Sequence, residues 1–360
     1  MTVGFVTGPL GLKGGKLQPA VSKQRRWPAA TRVSARMSQP VKTRIYTRDD
    51  SWSRLLLNTN VWEGNLTKYD ASPKEQERQG TSLFMFLLDP DAQEDDEPGA
   101  EKLYLQLQRE HGKHIEGVFT CETHGFLQNG TCYGPSGEMV DTMPKFDMSG
   151  PKIVEEIHTR KDDSGKLQKR ARIVFFAPPD KSEIEWYSVF RERNSGDPMP
   201  KSAAEVPKKR VPPTEVKSTN HPWLDVAELD DDWFRKSLTG KWQGQVVTID
   251  NQTQEESTVT YTMTGSVEND DVNQTVEINT GEVKTLKGKF ISPEAIEYDN
   301  GLTQKSLGNG ISVLHDKGFR VDGMCTVSSI WILGETRSQV TTAFIDGAQA
   351  WSTFDTAHRV

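Results

Sequence analysis

The strongest constraint on this chain is a unit that occurs twice. Trp52-Ser53-Arg54-Leu55-Leu56-Leu57-Asn58-Thr59-Asn60-Val61-Trp62-Glu63-Gly64 is matched by Trp233-Phe234-Arg235-Lys236-Ser237-Leu238-Thr239-Gly240-Lys241-Trp242-Gln243-Gly244. Each copy has acids just ahead of it, Asp49-Asp50 and Asp230-Asp231-Asp232. Acids there suit a helix N-terminus, where the peptide dipoles favour negative charge. Each copy then runs through a short amphipathic turn into Trp-x-Gly and a strand-like stretch. Trp62 and Trp242 stand 180 residues apart in a chain of 360. A repeat of that period makes each half one structural unit of ordinary domain size, about 100–200 residues. Between the halves, Asn194–His221 holds Pro198, Pro200, Pro207, Pro212 and Pro213, with Pro222 just beyond. So many prolines preclude a helix or a central strand, and the segment reads as a linker whose Lys208-Lys209-Arg210 run is solvated charge. The expected domains are 45–193 and 223–360, joined by 194–222. Asp89–Glu101 reads as an acidic surface loop.

Within each half the local signals are for strands. Thr258–Met263 and Gln274–Ile278 alternate. Thr326–Leu333, Thr336–Ile345 and Ala350–Ala357 are separated by Gly334-Glu335 and Asp346-Gly347, both two-residue hairpin signals. That is a three-stranded antiparallel meander. The expected fold is all-β: two antiparallel barrels in tandem, each preceded by a short helix. Two-residue turns also assign faces. Trp331, Leu333, Val340, Thr342, Phe344, Trp351 and Thr353 fall on one side, and Ile330, Ile332, Arg337, Gln339, Ser352 and Phe354 on the other. The first face mixes aromatics with small polar residues, as the wall of a binding cavity does. The competing reading is that the aromatics fill a small barrel. Trp331, Val340, Phe344 and Trp351 are the candidate ligand-binding residues, with Arg172 from the first half.

Composition excludes several classes. A net charge of −7 argues against a nucleic-acid binder working by bulk attraction. The apolar runs at Leu83–Leu88 and Ile173–Ala177 are far short of the ~20 residues a spanning helix needs. Three cysteines do not make a disulfide scaffold. The first acid is Asp49, and residues 1–36 are basic and rich in small side chains. That composition reads as an organelle transit peptide, with Val33-Ser34-Ala35 resembling a stromal cleavage site. The expected location is the chloroplast stroma, with the mitochondrion second.

Other clusters carry less. His111, His114, Cys121, His124 and Cys132 fall within 22 residues. If Gly117–Leu127 is a strand, Cys121 and His124 point to opposite faces, which argues against a zinc site. Cys121 and Cys132 could face each other across a hairpin, and a reducing stroma would keep them as thiols. Arg170 and Arg172 share a strand face, either as a clamp for a ligand carboxylate or as an exposed barrel face. Glu155-Glu156 reads as solvated charge at a strand end. No nucleophile elbow, phosphate loop or dinucleotide fingerprint occurs. No catalytic residue, metal ligand or cofactor is therefore assigned.

Gly240-Lys241-Trp242, opening a β unit of roughly 120 residues, resembles the lipocalin and calycin entry motif. The resemblance implies that Trp242 closes one end of its barrel against a basic residue of the last strand, here Arg359. In the first half Asn60 replaces the glycine, and Arg191 or Arg193 would serve Trp62. Trp62-Glu63-Gly64, Phe126–Gly130, Arg170-Ala171-Arg172 and the Trp331…Arg337…Asp346-Gly347…Trp351…Val360 ending together resemble a family of unknown function from cyanobacteria and plastids. It has two tandem lipocalin-like domains, and the likeness covers about Asp49–Val360. It is distantly similar to the phycobilisome bilin lyases, which hold a tetrapyrrole in one such barrel. The resemblance implies binding or handling of a hydrophobic plastid molecule, such as a tetrapyrrole, carotenoid or lipid. A pigment lyase or isomerase, and an assembly factor with both barrels filled, are the alternatives. No protein partner can be read from the sequence.

Overall fold

The structure is a computed structural model and describes residues 41–90, 100–211, 232–316 and 318–360. The expected transit peptide 1–36 and the second part of the linker, 212–222, lie outside the described residues.

The chain is built mostly of strands. After β1 (Lys42–Ile45) and helix α1 (Arg48–Leu56), the first half contributes β2 (Asn60–Asp70), β3 (Glu75–Leu87), β4 (Leu103–Arg109), β5 (Ile115–Phe119), β6 (Thr131–Tyr133), β7 (Met139–Thr142), β8 (Lys152–Lys161), β9 (Leu167–Ala177) and β10 (Trp186–Asn194). They form a curled antiparallel sheet in the order β5-β4-β3-β2-β10-β9-β8-β7-β6. No pairing joins β5 to β6 among the described residues, so this barrel is open. The second half follows α2 (Trp233–Ser237) with β11 (Gly240–Asp250), β12 (Glu255–Glu268), β13 (Asp271–Ile278), β14 (Val283–Ser292), β15 (Ala295–Tyr298), β16 (Thr303–Ser306), β17 (Ile311–His315), β18 (Met324–Leu333), β19 (Thr336–Ile345) and β20 (Ala348–Arg359). Each strand pairs with its chain neighbour, and β20 returns to β11, closing a ten-stranded barrel.

Both short helices form where the acids stand. α1 starts with a capping box in which the Thr47 hydroxyl accepts from the Asp50 amide and Asp50 accepts from the Thr47 amide. Its Trp52 and Leu55 plug the first half-barrel against Met85, Leu103 and Met139. Phe234 and Leu238, at α2, do the same for the second barrel against Val272, Phe290 and Tyr298.

The chain segments interleave at both ends of the first domain. Lys42–Ile45 adds a strand to β12 of the second sheet, and Arg44 and Arg54 both pair with Glu256. The start of the linker packs on the first sheet, with Val206 buried among Val61, Phe84, Phe86 and Tyr104. Arg210 donates to Glu63 at 2.9 Å and pairs with Asp197, so this part of the basic run is bound charge and not solvated charge.

The two sheets also share a core. The outer face of β8–β10 (Val154, Ile173, Phe175, Val189) packs on Ile311, Val313, Val327 and Trp331 of the second barrel. Phe146, from the β7–β8 connection, lies 4.5 Å from Phe344 between ring centroids.

The meander has the expected strands and the expected β18–β19 register, with Trp331 opposite Ser338 and Ser329 opposite Val340. The face assignment needs correction twice. First, Trp331, Val340 and Phe344 point out of the barrel, into the seam with the first half. Second, β20 carries a bulge: Phe344 pairs with Gln349, but Ala343 pairs with Trp351, leaving Ala350 extra. One extra residue inverts every later side chain, because the strand period is two. Trp351 and Thr353 therefore sit on the opposite face from Phe344, and Ser352 and Phe354 join Val340.

Candidate functional site

The interior of the second barrel holds a cavity of about 440 Å³. Its wall from β11–β13 is largely apolar: Val246, Val259, Met263, Val276 and Ile278. The wall from β19 and β20 is polar, with Arg337, Gln339, Thr341, Thr353 and Asp355 beside Trp351. These are the inward positions of two adjacent strands, spaced two apart, so the polar patch is contiguous.

The polar groups bind one another. Arg337 Nη1 donates to Asp355 Oδ2 at 2.7 Å. The Tyr261 hydroxyl is 2.7 and 2.8 Å from the two Asp355 oxygens. Arg337 also donates to the Gln339 side-chain carbonyl, and Gln339 Nε2 donates to Ser328 Oγ at 2.8 Å. Burial raises the Asp355 carboxyl above the usual carboxylate range, although Arg337 opposes the shift. Burial likewise raises the Tyr261 phenol. Both effects follow from the cost of holding a charge away from water. At the far end Trp242 is buried, and the Arg359 guanidinium lies 5.5 Å from its ring centroid, as the entry motif implied.

In the first half the corresponding inward positions carry a buried ion-pair network. Arg170 donates to Glu192 at 2.6 Å, and Arg172 to Glu155 at 2.7 Å and to Glu192 at 3.5 Å. Trp62, Leu83, Leu107, Val174 and Phe190 pack around them. Arg172, expected to face a ligand or solvent, is thus engaged by internal carboxylates. Glu155 is buried and is not solvated charge. The cation over Trp62 is Arg170, at 4.5 Å. Arg191 and Arg193 pair with Asn65 and Glu63, on the face opposite Trp62. Arg191 reaches the Leu307 and Gly308 carbonyls of the second barrel instead.

The seam explains the small polar residues that suggested a cavity wall. His158 lies 2.8 Å from both Ser338 Oγ and Ser329 Oγ. Glu156, also buried, accepts from Ser329 at 2.6 Å and Thr342 at 2.9 Å. Burial pushes Glu156 up to about 8 and His158 down to about 3. This cluster is sealed within the protein and joins the halves.

The cysteine and histidine cluster does not come together as a strand. Residues after β5 form turns. His124 Nδ1 sits 2.8 Å from the Cys121 carbonyl and Nε2 3.0 Å from Ser51 Oγ. His111 and His114 are exposed, and among the described residues no group of three or more His, Cys, Asp or Glu is arranged to hold a metal.

Of the sequence candidates, only Trp351 lines the cavity. Sequence reasoning missed Tyr261, Arg337, Gln339 and Asp355. One signal was present: Arg337 and Gln339 alternate on the same face as Ile330 and Ile332, and charge amid branched apolar residues needs a buried partner.

No protein-family model matches the chain, and no curated protein matches it. Among solved structures, a protein of unknown function from the DUF3598 family of Nostoc punctiforme matches with a TM-score of 0.64 at 16% identity, over 86% of this chain and 99% of that one. An S-type phycobiliprotein lyase from Guillardia theta matches at a TM-score of 0.30 and 13% identity, over 35% of this chain and 90% of that one. The second likeness is too slight to bear on function. No helix among the described residues is long and apolar enough to cross a membrane. The first match agrees with the resemblance to a cyanobacterial and plastid family of unknown function, and the chain is similar in fold to that DUF3598 protein.

Proposed function

We propose that the second barrel binds a small hydrophobic molecule in its interior, and that the first half is a filled structural barrel. The observation that carries this reading is the cavity itself. At about 440 Å³ it falls in the lower part of the range of small-molecule pockets, about 300–1,000 Å³. It combines an apolar wall with a few convergent polar groups, as such pockets do. The ligand class, whether carotenoid, other lipid or tetrapyrrole, belongs to this proposal. So does a plastid location, which rests on the composition of residues 1–36 and is tested by N-terminal sequencing of the native protein; a start near Arg36 or Met37 supports it, and a retained Met1 or Thr2 refutes it.

Titration of the full chain with Nile red, an uncharged fluorophore, tests the binding reading. Saturable one-site binding is expected, and Val259→Trp, which fills the cavity, should abolish it. Absence of binding, or binding indifferent to Val259→Trp, would assign the second barrel a structural role as well.

A further inference from the structure

We propose that the second-barrel cavity selects an uncharged molecule bearing a hydroxyl or carbonyl group and rejects the corresponding carboxylic acid. This rests on the binding reading above and names the ligand class.

The charges on the cavity wall set this selectivity. Its formally charged residues are Asp250, Lys284, Arg337 and Asp355. None of them offers an unpaired cation inside the cavity. Arg337 is held by Asp355 at 2.7 Å. Lys284 is exposed and 3.3 Å from Glu282. Asp250 accepts the Gln252 and Thr253 amides at 2.8 Å each. A carboxylate entering the interior gives up its hydration and finds no unpaired cation there to replace it, since Lys284 stands in solvent, and this is costly. To reach Arg337 it must displace Gln339 or Asp355, and either way two carboxylates share one buried guanidinium, an arrangement that drives one of them to take a proton. Burial already raises the Asp355 carboxyl with a single acid present.

A neutral polar group meets no such obstacle. Thr248 and Thr353 are directly opposed on β11 and β20, and both line the cavity. Among the described residues, no side chain hydrogen-bonds either hydroxyl. They can donate to a carbonyl or accept from a hydroxyl of the guest.

Retinol and retinoic acid share a polyene and differ at the head group, so they form the test pair. Their dissociation constants for the full chain are measured by tryptophan quenching at about pH 8, where the free acid is ionised. Retinol should bind at least about ten-fold more tightly, the scale set by desolvating an unpaired carboxylate. Asp355→Asn, which frees Arg337, should tighten retinoic acid by about ten-fold or more, since a charged hydrogen bond then becomes available. Thr353→Val should weaken retinol alone. Equal or tighter binding of retinoic acid to the wild type overturns the selectivity and leaves the binding reading standing. Failure of both probes to bind overturns both. Should Asp355→Asn not fold, the wild-type comparison and Thr353→Val still decide.

Discussion

The two halves start from the same Trp-x-Gly unit and end with opposite interiors. In the first, Arg170, Arg172, Glu155 and Glu192 fill the space beneath Trp62 and Phe190. In the second, a single Arg337–Asp355 pair leaves room for a cavity. Closure differs too, since among the described residues the first sheet ends at β5 and β6 without a pairing between them, while β20 returns to β11. An entry motif therefore sets how a barrel begins and where its helical plug sits. What the barrel contains is decided by inward residues far along the chain. A buried ion-pair network depends on every group keeping its partner; an interior with a void is free to give up some packing for a guest.

The largest expected effects separate core from cavity. Glu192 serves both Arg170 and Arg172, so Glu192→Gln strands buried charge and should cost about 3–5 kcal/mol in denaturant melts. Phe344→Ala should also cost about 3–5 kcal/mol, because Phe344 is fully buried in the seam against Phe146 and Phe319. It should leave Nile red affinity intact. Trp351→Ala, at the cavity wall, should cost roughly half that or less and weaken the dye several-fold. Equal losses at Phe344 and Trp351 with no change in dye binding would erase the distinction between the two interiors.

Acid and base should both act on the seam. His158 titrates near 3 when folded and near 6.5 when unfolded, so its contribution is complete above about 6.5 and is lost as pH falls from there through 3. Glu156 titrates near 8 when folded, so its contribution is complete below about 4.5 and is lost as pH rises from there through 8. His158→Gln should flatten the acid limb of the stability profile, and Glu156→Gln the slope between about 4.5 and 8. Unchanged slopes in both variants would show that the seam does not titrate as a buried unit.

The smallest effect belongs to the closed end of the second barrel. Arg359 is exposed, so Arg359→Gln should cost only about 0.5–1 kcal/mol through lost cation–π contact with Trp242 and lost exposed hydrogen bonds to the Lys236 and Thr239 carbonyls. The buried counterpart, Arg170 over Trp62, should cost several times more when replaced by Gln, because Glu192 then loses its nearest cation. Similar costs would mean that the cation–π contact, and not burial, dominates at both sites.

Local chemistry was enough to read much of this from the sequence. The acids before Trp52 and Trp233 place two short helices. Asp346-Gly347, both at positive φ, makes a tight hairpin. The alternation of β18 to β20 sets strand limits to within a few residues, and Trp242 with Arg359 follows from the entry motif. These features depend on residues close in the chain, or on a pair that the closing strand must bring together. Inside and outside could not be read the same way. A strand pattern divides residues into two faces without saying which is buried against what. The Ser and Thr side chains beside Trp331 and Val340 look wet until Glu156 and His158 arrive from more than 170 residues away in the chain. Ala350 carries no sequence mark of a bulge, yet that one residue turns Trp351 inward. The cation for Trp62 comes from β9 because Asn194 occupies the place that Arg359 holds in the second barrel. Each of these outcomes is a long-range pairing of parity and charge, and only the closed tertiary structure brings the partners together.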